Sequence, residues 1–242
     1  MTSPVSDQRP KQERGVAQDR SRAVEDYLKA ILYLQQESSP VSTSALAQHL
    51  GRSPASVTNM IKNLAERGLV EHELYHGVRL SEAGEREALR IIRRHRVIES
   101  FLIENLGYSW DRVHAEAERL EHAASDELVE RMAAVLGDPE MDPHGSPIPT
   151  ADGQLPDLSH PLLSEVMKRA QVIVREVSDS DGGRLRYLAE LGLYPGTRLE
   201  VLDREPFEGP IRVRIGKRER SLGRNLAQAV RVEVEGEVDE EK

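Results

Sequence analysis

The chain contains no cysteine, which excludes disulfides, thiolate nucleophiles and thiolate metal sites together and leaves imidazole and carboxylate as its strong side-chain ligands. Any metal is therefore expected to be held by nitrogen and oxygen. Long apolar runs are missing, as is a charged, apolar, small-residue leader at the start. The sequence thus predicts neither a membrane span nor a signal peptide, and a cytoplasmic protein. Aromatic residues are only 4% of the 242, yet a hydrophobic fraction of 38% suffices for two modest globular cores. An excess of positive charge is absent as well. The formal charge of −9 argues against a generic polyanion binder, because nonspecific nucleic-acid affinity comes mostly from Lys and Arg neutralising phosphates. Glu233 to Lys242 holds six acids and one base, so about five of the negative charges sit in a tail expected to stay clear of partners.

Apolar periodicity divides the rest into an α+β protein. Residues 1–20 mix Pro, Gln, Ser and alternating charges and read as a disordered arm, with Arg9, Lys11 and Arg14 as candidate DNA contacts. Residues 21–82 predict a winged helix-turn-helix. Val24, Tyr27, Leu28, Ile31, Leu32 and Leu34 recur at helical spacing to near Glu37, and a short helix carrying Leu46 and Leu50 closes at Gly51. A second helix starts at Ser53-Pro54, with Ser53 as N-cap and Pro54 in the first position, and runs to Gly68. Two short strands around His76-Gly77 then form the wing.

Residues 83–150 predict a helical domain of two long helices, from about Glu82 to Asn105 and from about Ser109 to Leu136, stopped by Gly107 and Gly137. Residues 151–165 read as a linker rich in turn formers. In 166–235 the period changes to two, with strands near Val172–Val174, Leu199–Leu202, Ile211–Ile215 and Val230–Val234 and a short helix near Leu185–Leu191. That pattern predicts a small SH3-like β-barrel, followed by an acidic tail, 236–242.

In a helix-turn-helix the second helix enters the major groove, so its first turns must be short and polar or basic. Arg52, Ser53, Ser56, Thr58, Asn59 and Lys62 meet that need on the face opposite Val57, Ile61 and Leu64. Asn59 is suited to adenine, Lys62 and Arg52 to phosphates, and His76 and Arg79 place charge on the wing. The competing reading is an ordinary solvated face on a three-helix core.

Sharper chemistry lies on the two long helices. His95 and Glu99 are four apart, as are His114 and Glu118, and Glu121 and His122 follow one turn later. Such spacing shares a helical face, so two antiparallel helices can gather imidazoles and carboxylates into a cluster suited to Mn²⁺ or Fe²⁺ and acceptable to Zn²⁺, Co²⁺ or Ni²⁺. A solvated, ion-paired face is the competing reading. A di-iron bundle enzyme would need Glu-x-x-His pairs, and Ile92, Asp111 and Arg119 stand where those glutamates belong.

The sequence resembles the diphtheria-toxin-repressor and manganese-transport-regulator family of metal-dependent transcriptional repressors over most of its length. The likeness rests on Glu25-Asp26-Tyr27-Leu28, the Ser53–Val70 segment, Arg94-His95-Arg96, the run Val113–His122, and Pro143-His144-Gly145-Ser146-Pro147-Ile148-Pro149. It implies that Asp26 joins Glu118, Glu121 and His122 at one metal site, with His95 serving this site or its neighbour. It also implies an ancillary site of His95, Glu99 and His114 completed from the SH3-like domain, for which Asp181 is the candidate. The segment Leu185–Gly196 looks like that domain, also called FeoA-like.

Asp26 and Glu118 stand where iron-responsive members carry Met and Cys, and these harder ligands favour Mn²⁺. Lys29 stands where several manganese members place a further Glu, which counts against a two-metal site of that design. The expected function is regulatory, not enzymatic. The metal acts as corepressor, and a homodimer, built with positions such as Val97, Phe101, Leu120 and Leu128, reads a palindromic double-stranded operator. The alternatives are a metal-independent winged-helix regulator sensing another ligand and a helical-bundle metalloenzyme.

Overall fold

The computed structural model describes residues 11–73, 77–156, 160–179 and 181–237. The chain forms two compact units, Met1–Ile92 with Ala151–Gln154, and Arg93–Thr150 with Leu155–Lys242. Their boundary falls inside one helix, α4.

The first unit holds α1 (Lys11–Glu37), α2 (Thr43–Leu50), α3 (Pro54–Glu66), the strands β1 (Val70–Glu73) and β2 (Gly77–Leu80), and the start of α4 (Glu82–Leu106). Helix α1 begins well before the apolar stripe does, so the expected disordered arm is corrected from Lys11 onward, and Arg9 lies outside the described residues. Once a helix is nucleated by packed residues such as Leu28 and Ile31, each added residue gains a hydrogen bond, and Lys, Gln, Glu and Arg are good helix formers. Gly51 ends α2 at φ +61°, and Ser53 caps α3 by accepting from Ser56 N at 3.2 Å. Leu28, Ile31, Leu46, Val57, Ile61, Leu64, Val70 and Val78 close one apolar core. Burial of each large side chain contributes about 1.5–3 kcal/mol.

The wing is pinned to this core. β1 pairs antiparallel with β2, and Val41 and Val78 exchange both backbone hydrogen bonds at 2.9 Å. Gly77 sits at φ +101°, where a Cβ would lie 2.6 Å from the Val41 carbonyl oxygen, so the close approach requires glycine.

The second unit begins with the remainder of α4, then α5 (Val113–Leu120) and α6 (Asp126–Val135). One continuous helix was the expectation from Ser109 to Leu136; the structure breaks it between Leu120 and Asp126. Ser125 caps α6 by accepting from Leu128 N at 3.3 Å, and Asp126 and Glu127 suit the positive end of the new helix. The apolar spacing continues across the break, which conceals it in the sequence. Val97 is buried with Val129, Ala133 and Ile148, whereas Leu120 and Leu128 are exposed and Phe101 half-buried.

Three arginines of α4 brace α6 and the loop beyond it. Arg93 forks onto Glu130 at 2.8 and 2.7 Å and donates to Pro149 O, Arg94 holds Asp126 at 2.9 Å, and Arg96 donates to Pro147 O. The loop from Asp142 to Pro149 is thereby fixed at one end. At the other, Val177 N donates to His144 O at 2.9 Å, and Gly145, at φ +87°, lies so close to Arg175 O that a Cβ would be 1.8 Å away.

The remaining elements are β3 (Ala170–Val177), α7 (Gly182–Leu191), β4 (Arg198–Arg204), β5 (Ile211–Ile215), β6 (Arg218–Leu222), the short α8 (Arg224–Ala227) and β7 (Val230–Glu237). The strands form an antiparallel sheet in the order β6-β5-β4-β3-β7 around Val172, Val174, Leu188, Val201, Val213 and Val232. Register shifts between β3 and β7 bend the pair, as bulges do. Strand β6 has no counterpart among the expected strands, because Arg-Glu-Arg-Ser-Leu shows no apolar alternation. Among the described residues no helix is long and apolar enough to cross a membrane.

Candidate metal centre

Within the second unit, helical spacing alone starts the site. His95 and Glu99 lie one turn apart on α4 and are buried, at 5% and 0% exposure. His114 and Glu118 repeat the pattern on α5. Glu99 Oε1 lies 3.0 Å from His95 Nε2 and 3.1 Å from His114 Nδ1, and His114 Nδ1 is 3.2 Å from Asp179 Oδ2, just beyond the end of β3. The other nitrogen of His95 donates to Glu121 Oε2 at 2.5 Å. His122 follows at the helix break, its Nε2 3.4 Å from Glu121 Oε1.

The Asp142–Pro149 loop adds two donors. Asp142 Oδ1 accepts from the backbone N–H groups of His144 and Ser146 at 2.8 and 2.9 Å, which shapes the turn. His144 Nε2 donates to Trp110 O at 3.0 Å, so the lone pair of a neutral ring falls on Nδ1, 3.9 Å from Glu99 Oε2. Glu99 Oε2, Asp142 Oδ2 and His144 Nδ1 are all buried without a hydrogen-bond partner among the described residues. Leaving such atoms unsatisfied costs about 1–3 kcal/mol each, more for charged groups.

Those atoms fit a divalent cation. Within each of three groups, His95, Glu99, His114 and Asp179; Glu99, Asp142 and His144; and His95, Glu118 and Glu121, one ligand atom per residue lies within 4.8 Å of the others. Two ligands across an ion, each bonded at about 2.0–2.2 Å, span a similar distance. The donors are imidazole and carboxylate throughout, a set matched to Mn²⁺ and Fe²⁺ and tolerated by Zn²⁺.

Protonation stands in for the ion. Burial alone would lower His95 and His114, but the hydrogen bonds they donate to the carboxylates outweigh it and hold them up at about 9 and about 10. Burial would raise Glu99, and the two imidazoles instead hold it at about 2. Asp179 is likewise kept well below the carboxylate range, His114 overcoming its burial. Burial pushes Asp142 up to about 7, with Arg96 opposing and Glu99 reinforcing. The cluster therefore retains positive charge as protons when no metal supplies it.

In the first unit, the face of α3 opposite its core is presented as expected. Arg52, Ser56, Asn59 and Lys62 are exposed, as is Arg79 on the wing. The hydroxyls of Ser53 and Thr58 are committed to the helix, one to the cap and the other to Pro54 O at 2.9 Å. His76 lies outside the described residues. Asp26 belongs to this unit, half-buried on α1.

Three family models match successive stretches of the chain. Residues 19–78 match the iron dependent repressor N-terminal DNA binding domain, 81–150 the iron dependent repressor metal binding and dimerisation domain, and 162–234 the FeoA domain. A solved manganese-dependent transcriptional repressor in complex with manganese is 44% identical, with a TM-score of 0.81 over 87% of this chain and 99% of its own. The chain belongs to the diphtheria-toxin-repressor and manganese-transport-regulator family. An HTH-type transcriptional regulator of Methanocaldococcus jannaschii is 42% identical over 113 residues, covering 46% of this chain and 90% of the relative. The iron-dependent repressor IdeR of Mycobacterium tuberculosis is 29% identical over 221 residues, 86% of this chain and 96% of the relative. These named relatives are regulators, not enzymes.

For a family member, the second unit gathers most of the expected ligands. His95, Glu118, Glu121 and His122 lie around the start of the helix break, and His95, Glu99 and His114 form the adjoining cluster. Asp181 is not brought there. Its carboxylate caps α7, accepting from Gly183 N at 2.8 Å and Arg184 N at 3.1 Å, and Asp179, two residues earlier, is the carboxylate that lies beside His114. Asp142, His144 and Asp179 went unforeseen, because helical spacing says nothing about donors delivered by a loop or a strand end.

Proposed function

We propose that this chain is a manganese-responsive transcriptional repressor that binds a palindromic operator as a homodimer, with the metal as corepressor. The observation that carries the reading is the buried set of nitrogen and oxygen donors around Glu99, three of whose atoms converge without a hydrogen-bond partner among the described residues in a protein that has no thiol to offer. Asp26, Glu118, Glu121 and His122, with His95, are the ligands of the regulatory site. Support for Asp26 comes from the Glu25-Asp26-Tyr27-Leu28 motif. His95, Glu99, His114 and Asp179 form the ancillary site, to which Asp142 and His144 add donors.

Bound there, the metal supplies the positive charge that lets carboxylates from separate elements share one place. The residues of the chain do the rest. His95 turns one nitrogen to Glu121 and the other to Glu99, so its orientation links the two groups. Arg96 and the caps made by Asp142 hold the loop that presents His144. Ordering these donors favours the dimer geometry in which both α3 helices meet successive major grooves. Arg52, Lys62 and Arg79 then hold phosphates, while Ser56 and Asn59 face bases. Hard ligands favour Mn²⁺, with Fe²⁺ next and Zn²⁺, Co²⁺ or Ni²⁺ as substitutes. A regulator of genomic DNA works in the cytoplasm.

Fluorescence anisotropy on a genomic fragment library tests this, with chelator, Mn²⁺ and Fe²⁺, for wild type and His122→Ala. Mn²⁺ is expected to raise wild-type affinity by roughly 5- to 150-fold, the range of an allosteric coupling, and to leave the variant unmoved. Equal binding after chelation would instead favour a regulator that senses another ligand.

A further inference from the structure

The β5–β6 hairpin reverses the charge of the chain that carries it. Between Ile211 and Arg224 stand Arg212, Arg214, Lys217, Arg218, Arg220 and Arg224 against the single acid Glu219, in a protein of formal charge −9. Strand alternation sorts them. Glu219 pairs across from Arg214, on the face that also carries Arg212, and its carboxylate meets both guanidinium groups at 3.1 and 3.4 Å. Arg214 also holds Glu200 at 2.7 Å, so that face is neutralised.

Arg218 and Arg220 fall on the opposite face, across from Ile215 and Val213, and Lys217 occupies the turn. None of the three has an acidic partner within 4.0 Å among the described residues; Arg220 donates only to the backbone oxygen of Glu219. Arg218 and Lys217 are exposed and Arg220 half-buried, on the edge strand of the sheet. Self-repulsion in such a group is relieved by an anion, and guanidinium forks match phosphate oxygens.

We propose that Lys217, Arg218 and Arg220 form a second DNA-contacting surface that holds backbone phosphates without reading sequence. This rests on the DNA-binding function proposed above. Duplex DNA is the favoured polyanion because the hairpin is tethered to a DNA-binding domain, so its encounter with the same duplex is intramolecular. The positive surface also lets a chain of negative overall charge stay on a polyanion.

The test uses the full-length, Mn²⁺-loaded protein and one duplex selected from the genomic library, with affinity measured across a salt series. Each phosphate contact adds about 0.9 to the slope of log K against log salt. The variant Lys217→Gln/Arg218→Gln/Arg220→Gln is expected to lower the slope by two to three, about equally for specific and unrelated duplexes. Arg218→Lys/Arg220→Lys, which keeps the charge, is expected to retain it. Should the triple variant fail to fold, Lys217→Gln/Arg218→Gln, at exposed positions only, is expected to lower the slope by about two. An unchanged slope in a folded variant overturns the proposal. So does an unchanged slope accompanied by lost binding to phosphatidylserine vesicles, which would assign the hairpin to membranes. A wild type that binds no duplex removes the DNA-binding reading and this proposal together. Metal-independent binding whose slope still falls in the triple variant would sink metal regulation and leave this surface standing.

Discussion

The winged-helix unit and the second unit bury different kinds of residue. Around Leu28, Ile31 and Leu64 the first core is apolar; Ser42 and Ser53 cap helices, and Gln35 accepts from Leu80 N at 2.7 Å to tie α1 to the wing. Every buried polar or charged side chain among the described residues, from His95, Glu99 and Glu121 to Asp142 and His144, lies in the second unit. Burying ions costs more than burying methyl groups unless each is paired. The first core is thus held by apolar packing around α3, while the second unit buries charges that need countercharge to be stable.

Three measurements sharpen or break that contrast, in order of expected size. Leu28→Ala should cost about 2–5 kcal/mol in urea unfolding by the same amount with and without metal. A cost that depends on metal would mean that the first core is not independent. Chelation of the wild type should remove about 3–4 kcal/mol at saturating metal, lowering the thermal midpoint by roughly 6–16 °C. Hydrogen exchange should locate that loss in α4 and α5 and spare α3; uniform loss would contradict the division.

The smallest effect is on pH dependence. In metal-free protein, His95 and His114 are raised from 6.5 to about 9 and about 10, so the stability they contribute is complete below pH 6.5. It is lost as pH rises through their folded values. Glu99 is lowered from 4.5 to about 2, so its contribution is present above pH 4.5 and lost as pH falls toward 2. Metal-free midpoints should therefore decline between pH 6.5 and 10, whereas the metal-loaded protein should hold level there. At pH 7.5, calorimetry in buffers of different ionisation enthalpy should register proton release as metal binds. No release would mean that the imidazoles are not ligands.

How much of this was legible in the sequence tracks the same contrast. The helix-turn-helix was readable because its signals are local: Ser53-Pro54 starts a helix, Gly51 ends one, and the apolar stripe of α3 has a single period. His95, Glu99, His114 and Glu118 were readable for the same reason, each pair one helical turn apart. Asp142, His144 and Asp179 were not, since they reach the cluster through the caps made by Asp142, the close approach at Gly145 and the end of β3. The break after Leu120 was hidden by apolar spacing that runs through it. Strand β6 is not legible because Arg218 and Arg220 share the face of buried Leu222, so its charges leave no alternating stripe.

Trp110 is the only tryptophan in the chain. Its indole N–H donates to Pro143 O at 3.0 Å, and its ring lies 5.2 Å from that of His144 and 5.1 Å from that of Tyr194. All of the tryptophan emission thus originates beside one of the donors that face Glu99. The unlabelled protein carries a native optical probe at the cluster, able to follow occupancy in real time before any DNA is added.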